Sequence, residues 1–138
     1  MKIDKVFVFD TNSIVSAHLI AGSVSDQAFQ KALRLGAIAI SETTMIELVD
    51  VLYRKKFDKY FNEEQAREKL IQKIEEYAVT FSPSEKITVS IDPDDNMFLE
   101  LAVASQASCI ISGDPHLHAL NPFREIPILS ASDFLKLF

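Results

Sequence analysis

Six carboxylates stand where an α/β chain puts working residues. Asp10 closes the apolar run VFVFD, Asp114 follows the run CIIS through Gly113, Asp92, Asp94 and Asp95 surround a helix start, and Glu47 lies in SETTMIEL. Each also has an ordinary local use. Asp10 suits a helix cap; Asp114 before Pro115 matches a cap with proline at the first helical position. Asp92, Asp94 and Asp95 read as a capping arrangement that favours the helix dipole. Glu47 shares a helix face with Thr43, Asp50 and Arg54 and, alone, reads as solvated. Together, however, these uses gather several carboxylates at one edge of a sheet, where mutual repulsion protonates them unless cations intervene. Hard oxygen ligands of this kind suit Mg²⁺ or Mn²⁺. Two such ions about 4 Å apart can activate a water and stabilise the leaving oxygen of an in-line displacement. That is nuclease chemistry.

The elements that must position these acids are legible from hydrophobic period. Residues 6–10 form a continuous β-branched and aromatic run, which predicts a strand buried on both faces. Helical spacing follows over 12–19 and again over 25–35, the second with Ser25 as its cap and Gly36 as its stop. A second apolar strand is predicted at 37–40. From Ser41, positions 45, 48, 49, 52 and 53 share a face, predicting a helix that ends near Lys56. A charged helix over 62–77 carries Leu70, Ile71 and Ile74, and strand 79–81 precedes a break at Pro83 and Ser84. A helix over 93–105, strand 109–112, a short helix near Pro115, strand 126–129 and a helix from Ser132 complete the chain. Such alternation predicts a three-layer α/β/α fold, with a parallel sheet of about five strands flanked by helices. The usable crevice of such a sheet lies beyond the carboxyl ends of its strands, where Asp10 and Asp114 stand.

Length and composition agree with one domain spanning residues 1–138, with 48% hydrophobic residues and neither repeat nor low-complexity linker. A lone cysteine, Cys109, excludes an internal disulfide and a four-cysteine zinc site. The N-terminal run MKIDKVFVFD is too short and too soon interrupted for a signal peptide, and no apolar stretch of about 18 residues occurs. The expectation is a soluble, cytoplasmic protein with no membrane partner. Twenty acids against fourteen bases leave a net charge of -6, which argues against a general basic surface for nucleic acid. Positive charge must be localised or brought by metals. Its densest run is Arg54, Lys55, Lys56 and Lys59, interleaved with Tyr53, Phe57, Tyr60 and Phe61. Cations with aromatics suit a single-strand platform, stacking contributing about 1–3 kcal/mol per base. The competing reading is that the aromatics cover the core and the cations are solvated.

The motifs VFVFDTNSI at 6–14, SETTMIEL at 41–48, DPDDNMFLELAVA at 92–104 and ISGDPHL at 111–117 together resemble the acidic motifs of PIN-domain ribonucleases. The resemblance runs over almost the whole chain in order and spacing, and is closest to the bacterial and archaeal toxins of toxin–antitoxin modules. It implies that Asp10, Glu47, Asp95 and Asp114 bind Mg²⁺ or Mn²⁺, with Asp94 an alternative third acid. Asn12 is implied to orient a carboxylate or a water, with Thr11 assisting through backbone or hydroxyl. The implied reaction is hydrolysis of an RNA phosphodiester by an in-line water, leaving a 5′-phosphate and a 3′-hydroxyl. His116 and His118 are read as surface residues or cap partners. An antitoxin and a homodimer are the implied protein partners.

Other functions fit less well. A haloacid-dehalogenase-type phosphatase needs a second Asp at position 12, which is Asn12 here. A response-regulator receiver needs an Asp after a middle strand, where residues 79–81 are followed by Ser82 and Pro83. A P-loop needs clustered glycines, and Gly22, Gly36 and Gly113 stand apart. The alternative that sequence leaves open is a PIN-like module that binds RNA or protein without cutting. Charge does not separate them: two divalent ions would move -6 to about -2.

Overall fold

Alternation of side chains along the first strand builds the two cores of the molecule. In β1 (Val6–Phe9), Phe7 and Phe9 enter one core and Val8 the other, all three sealed from solvent. The computed structural model describes residues 5–138; residues 1–4, the head of the run considered above as a signal, lie outside the described residues. Four further strands pair in parallel with β1 at the centre: β2 (Ala37–Ile40), β3 (Val79–Thr80), β4 (Cys109–Ile111) and β5 (Ile128–Leu129). Their order is β3-β2-β1-β4-β5, with Phe7 opposite both Ile38 and Cys109. The chain therefore winds one way from β1 to β3 and the other way through β4 to β5. The reversal lies between β1 and β4, and a crevice opens at their carboxyl ends.

Helices cover both faces, as expected. The Phe7–Phe9 face packs against α1 (Thr11–Leu19), α2 (Val24–Leu35), α3 (Glu42–Leu52), α4 (Ala66–Tyr77) and α7 (Ala131–Leu137). The Val8 face packs against α5 (Asn96–Ser105) and Leu117 of α6 (Pro115–His118). Phe29 meets Phe9 edge to face at 5.0 Å and Phe134 meets Phe7 at 5.2 Å, tying α2 and α7 to the central strand. No helix among the described residues is long and apolar enough to cross a membrane.

Several boundaries differ from the sequence expectation, each for a local reason. Ser23, not Ser25, caps α2, because its hydroxyl accepts from the Asp26 N–H at 3.1 Å. Ser130 does the same for α7 toward Asp133, so that helix starts before Ser132. α3 stops at Leu52: Tyr53 leaves the apolar face and is exposed, and a 3₁₀ segment, Lys55–Tyr60, follows. α4 begins at Ala66 instead of residue 62, after Gln65 adopts a left-handed backbone at φ 64°. The expected helix over 93–105 divides into a 3₁₀ turn, Pro93–Asp95, and α5. Gly36 does end α2, but its necessity lies in crowding: a Cβ there would stand 2.0 Å from the Lys5 carbonyl oxygen. That same oxygen accepts from the Ala37 N–H at 2.9 Å, so the glycine lets β2 close onto β1.

Candidate functional site

Asp10 ends β1 and caps α1, and both uses fix its carboxylate. One oxygen accepts from the Ser13 N–H at 2.9 Å, and the other accepts from the Ser112 hydroxyl, which arrives from the end of β4. Ser112 Oγ in turn accepts from the Asp114 N–H at 2.9 Å, while Asp114 Oδ1 accepts from the His116 N–H at 2.8 Å. His118 Nε2 lies 2.5 Å from the Ser112 carbonyl oxygen. Ser112 thus couples the two acids across the switch point of the sheet. Sequence reading gave it no role; the available signal was a hydroxyl at a strand end immediately before Gly113 and Asp114.

The third acid comes from the opposite side. Asp92 caps the 3₁₀ turn by accepting from the Asp94 N–H at 3.1 Å, and this turn drops Asp95 into the crevice beneath it. Asp10 and Asp95 are each only 6% exposed. Burial pushes the Asp95 carboxyl up to about 7, and the neighbouring carboxylate of Asp114, followed by those of Asp92 and Asp10, adds to the effect. Asp94, the alternative third acid, is exposed on the rim. Glu47 reaches the same crevice from α3, half-buried.

A cleft of about 180 Å³ is lined by Asp10, Glu47, Asp95 and Asp114 together with Asp92, Asp94, Asn12, Thr11 and Arg54. Every acid singled out in the sequence therefore borders one space. A second hollow of about 430 Å³ shares Asp10, Asn12 and Asp114 with it and continues along Ser13, Ser16 and Ser25. His116, read from sequence as a surface or cap residue, is half exposed, yet its Nδ1 lies 3.7 Å from Asp114 Oδ1.

The cationic run divides. Arg54 borders the cleft and pairs with Asp50 at 3.6 Å, whereas Lys55, Lys56 and Lys59 lie exposed on the 3₁₀ segment beside it. Lys56 covers the Phe57 ring at 5.0 Å and Lys59 the Tyr60 ring at 5.2 Å. Phe57 and Phe61 pack against the core, so for these two aromatics the covering role is the observed one. Tyr53 and Tyr60 keep exposed faces.

The donor set fits a hard divalent cation. Several carboxylates crowd into a half-closed space, and burial together with the neighbouring acids raises the carboxyl of Asp95 to about 7. Thr11 lines the cleft as well, and its Oγ1 is the one fully buried side-chain oxygen without a hydrogen-bond partner among the described residues. A buried hydroxyl left unpaired costs about 1–3 kcal/mol, which a bound ion's water shell would recover.

Similarity to known proteins agrees with this geometry. A family model described as PIN domain matches residues 6–116, from β1 through the start of α6. The chain belongs to the PIN-domain family. Solved structures of the same fold include VapBC2 from Rickettsia felis bound to a DNA fragment from their promoter, at 18% identity and a TM-score of 0.58, covering 91% of this chain and 97% of that one. VapBC-1 from nontypeable Haemophilus influenzae aligns at 13% identity and a TM-score of 0.59, covering 92% and 98%. FitAcB from Neisseria gonorrhoeae aligns at 14% and 0.57, covering 91% and 98%. No curated protein matches the chain significantly. The five-stranded parallel PIN-domain sheet is thus established, and the residues along its crevice carry the functional question.

Proposed function

We propose that this PIN-domain chain is a Mg²⁺- or Mn²⁺-dependent endoribonuclease and the toxin of a toxin–antitoxin pair. The observation that carries the reading is the convergence of Asp10, Glu47, Asp95 and Asp114, from four separate stretches of chain, on one cleft at the switch point of the sheet. A divalent ion held by these acids would neutralise them, draw in a phosphodiester and lower the pKa of a water. The chain's own residues supply orientation. Ser112 and the Ser13 N–H hold the Asp10 carboxylate from both sides. Asn12, exposed at the mouth, offers an amide to a phosphate oxygen, and Arg54 on the other rim offers a guanidinium. Lys55, Lys56 and Lys59 extend that positive rim for the RNA backbone. The VapBC and FitAcB likenesses support an antitoxin as protein partner; a homodimer is the working assembly that the family resemblance implies.

The test is cleavage of single-stranded and structured RNA by the purified chain with Mg²⁺ or Mn²⁺, beside Asp10→Asn and Asp95→Asn. Cutting that needs the metal and is lost in both variants supports the proposal. Cutting that survives both substitutions removes the site assignment, and RNA binding without cutting under any metal moves the chain to a binding module.

A further inference from the structure

One serine that the sequence offers as a helix cap has no capping task. Ser23 caps α2 in place of Ser25, and Ser25 lines the hollow of about 430 Å³ that adjoins the carboxylate cleft. Ser13 and Ser16 line it as well, three positions apart and so on one face of α1. The hydrogen bonds of these two residues use backbone atoms: the Ser13 N–H donates to Asp10, and the Ser16 carbonyl accepts from the Ile20 N–H. Their hydroxyls are left for a guest, each able to donate and to accept. Gly113 forms another part of the wall, and the fold does not demand a glycine there. Its backbone lies outside the left-handed region, and a Cβ on it would meet nothing within 4 Å. What the missing side chain leaves is room beside Asp114.

Size and lining together specify the guest. Sites that enclose a small organic molecule run to about 300–1,000 Å³. The carboxylate cleft, at about 180 Å³, falls below that range, whereas the hollow falls within it. The two spaces meet at Asp10, Asn12 and Asp114, so a group bonded to a phosphate at the acids can enter the hollow. Among the described residues no Lys, Arg or His lines the hollow, which disfavours a second phosphate, and no aromatic ring lines it to stack on a base. A neutral guest rich in hydrogen-bonding edges remains. We propose that the hollow takes the nucleoside beside the cleaved bond, and that Ser16 and Ser25 read the edge of its base and so make cleavage selective for that base. The proposal rests on the reading of the cleft as a ribonuclease site and adds a specificity pocket to it. Discrimination follows because a wrong base leaves the hydroxyls unpaired in a partly closed space.

The experiment uses oligoribonucleotides that differ only in the base on one or the other side of the cleaved bond, cut by the full chain with Mg²⁺ or Mn²⁺. At one of these two positions kcat/KM should vary by about tenfold or more among the four bases. Ser16→Ala and Ser25→Ala should each shrink that spread to about threefold or less, with Mn²⁺ affinity changed less than about twofold. Both variants are mild for the fold, since alanine favours a helix and the Ser23 cap stays in place. Binding is read apart from cutting: with Mg²⁺ present, the four nucleoside 5′-monophosphates should shift the amide resonances of Ser16 and Ser25 to different extents. Ser16→Leu, which fills the hollow from a residue outside the acids, should abolish the shift at Ser25. Cleavage indifferent to the base at both positions, or a base preference kept in full by both alanine variants, overturns the pocket. In a chain that cuts no RNA, shifts at Ser16 and Ser25 that Ser16→Leu abolishes support the pocket and sink the nuclease reading alone, and no shift overturns the pocket as well.

Discussion

Replacing Asp95 by asparagine should stabilise the metal-free protein, and should do so only above mildly acidic pH. The carboxyl of Asp95 is pushed from its ordinary 3.8 up to about 7, first by burial and then by Asp114, Asp92 and Asp10. A carboxyl raised in the folded state binds a proton there that the unfolded chain has already released. Below about pH 4 both states are protonated and Asp95 costs nothing; between about pH 4 and 7 stability falls; above about 7 the full penalty applies. At 1.36 kcal/mol per pH unit the gap corresponds to about 4 kcal/mol, and screening by water in an open cleft brings the expected cost to about 2–4 kcal/mol. With a slope near 2 kcal/mol/M, Asp95→Asn should raise the urea midpoint by about 1–2 M at pH 8 and by almost nothing at pH 4. Urea titrations in a chelator at a series of pH values measure this directly. Adding Mn²⁺ should stabilise wild type more than the variant and so narrow the difference. Parallel pH profiles for the two proteins, or a variant less stable than wild type at pH 8, would refute the reasoning that the cleft crowds its carboxylates beyond what the fold alone can neutralise.

Other perturbations separate the supports of the site. Ser112→Ala removes the hydroxyl that joins Asp10 to the Asp114 N–H, and should cost about 1–3 kcal/mol in thermal or urea unfolding and about 10–100-fold in metal affinity. Gly36→Ala sets a methyl against the Lys5 carbonyl and should cost about 3 kcal/mol or prevent folding, with no effect expected from Gly113→Ala on packing, since a Cβ there meets nothing within 4 Å. Replacing Arg54, Lys55 and Lys56 together by alanine should weaken RNA binding and flatten its salt dependence by about two to three charges, read from affinity against salt concentration. An unchanged slope would return the basic segment to the role of a solvated face.

Much of this architecture was legible because it follows from short-range rules. Continuous apolar runs such as VFVF and AIAI become strands sealed on both faces, and the cap residues Asp10 and Asp114 stand at the strand-to-helix junctions. Capping and lining the site are not alternatives for these acids: Asp10, Asp92 and Asp114 cap their elements and border the cleft at once. A cap orients a carboxylate, and the switch point of the sheet assembles the caps. What sequence could not show were relations across long separations. The pairing of Ser112 with Asp10, the approach of Lys5 to Gly36 and the meeting of Ser25 with Gly113 along one hollow depend on which strands become neighbours. Boundaries slipped where two hydroxyls competed for one cap, as Ser23 and Ser25 did, or where an aromatic such as Tyr53 fell on the helical period but found no core to enter.

The proposed reaction is hydrolysis of RNA by a water activated at the carboxylate cleft. End-group analysis of the cleavage products addresses it most directly. With Mn²⁺ and wild-type protein, a labelled oligoribonucleotide should yield 5′-phosphate and 3′-hydroxyl ends, and no such fragments should form with Asp10→Asn or in a chelator. Products ending in 2′,3′-cyclic phosphate, or the same fragments from Asp10→Asn, would contradict the account.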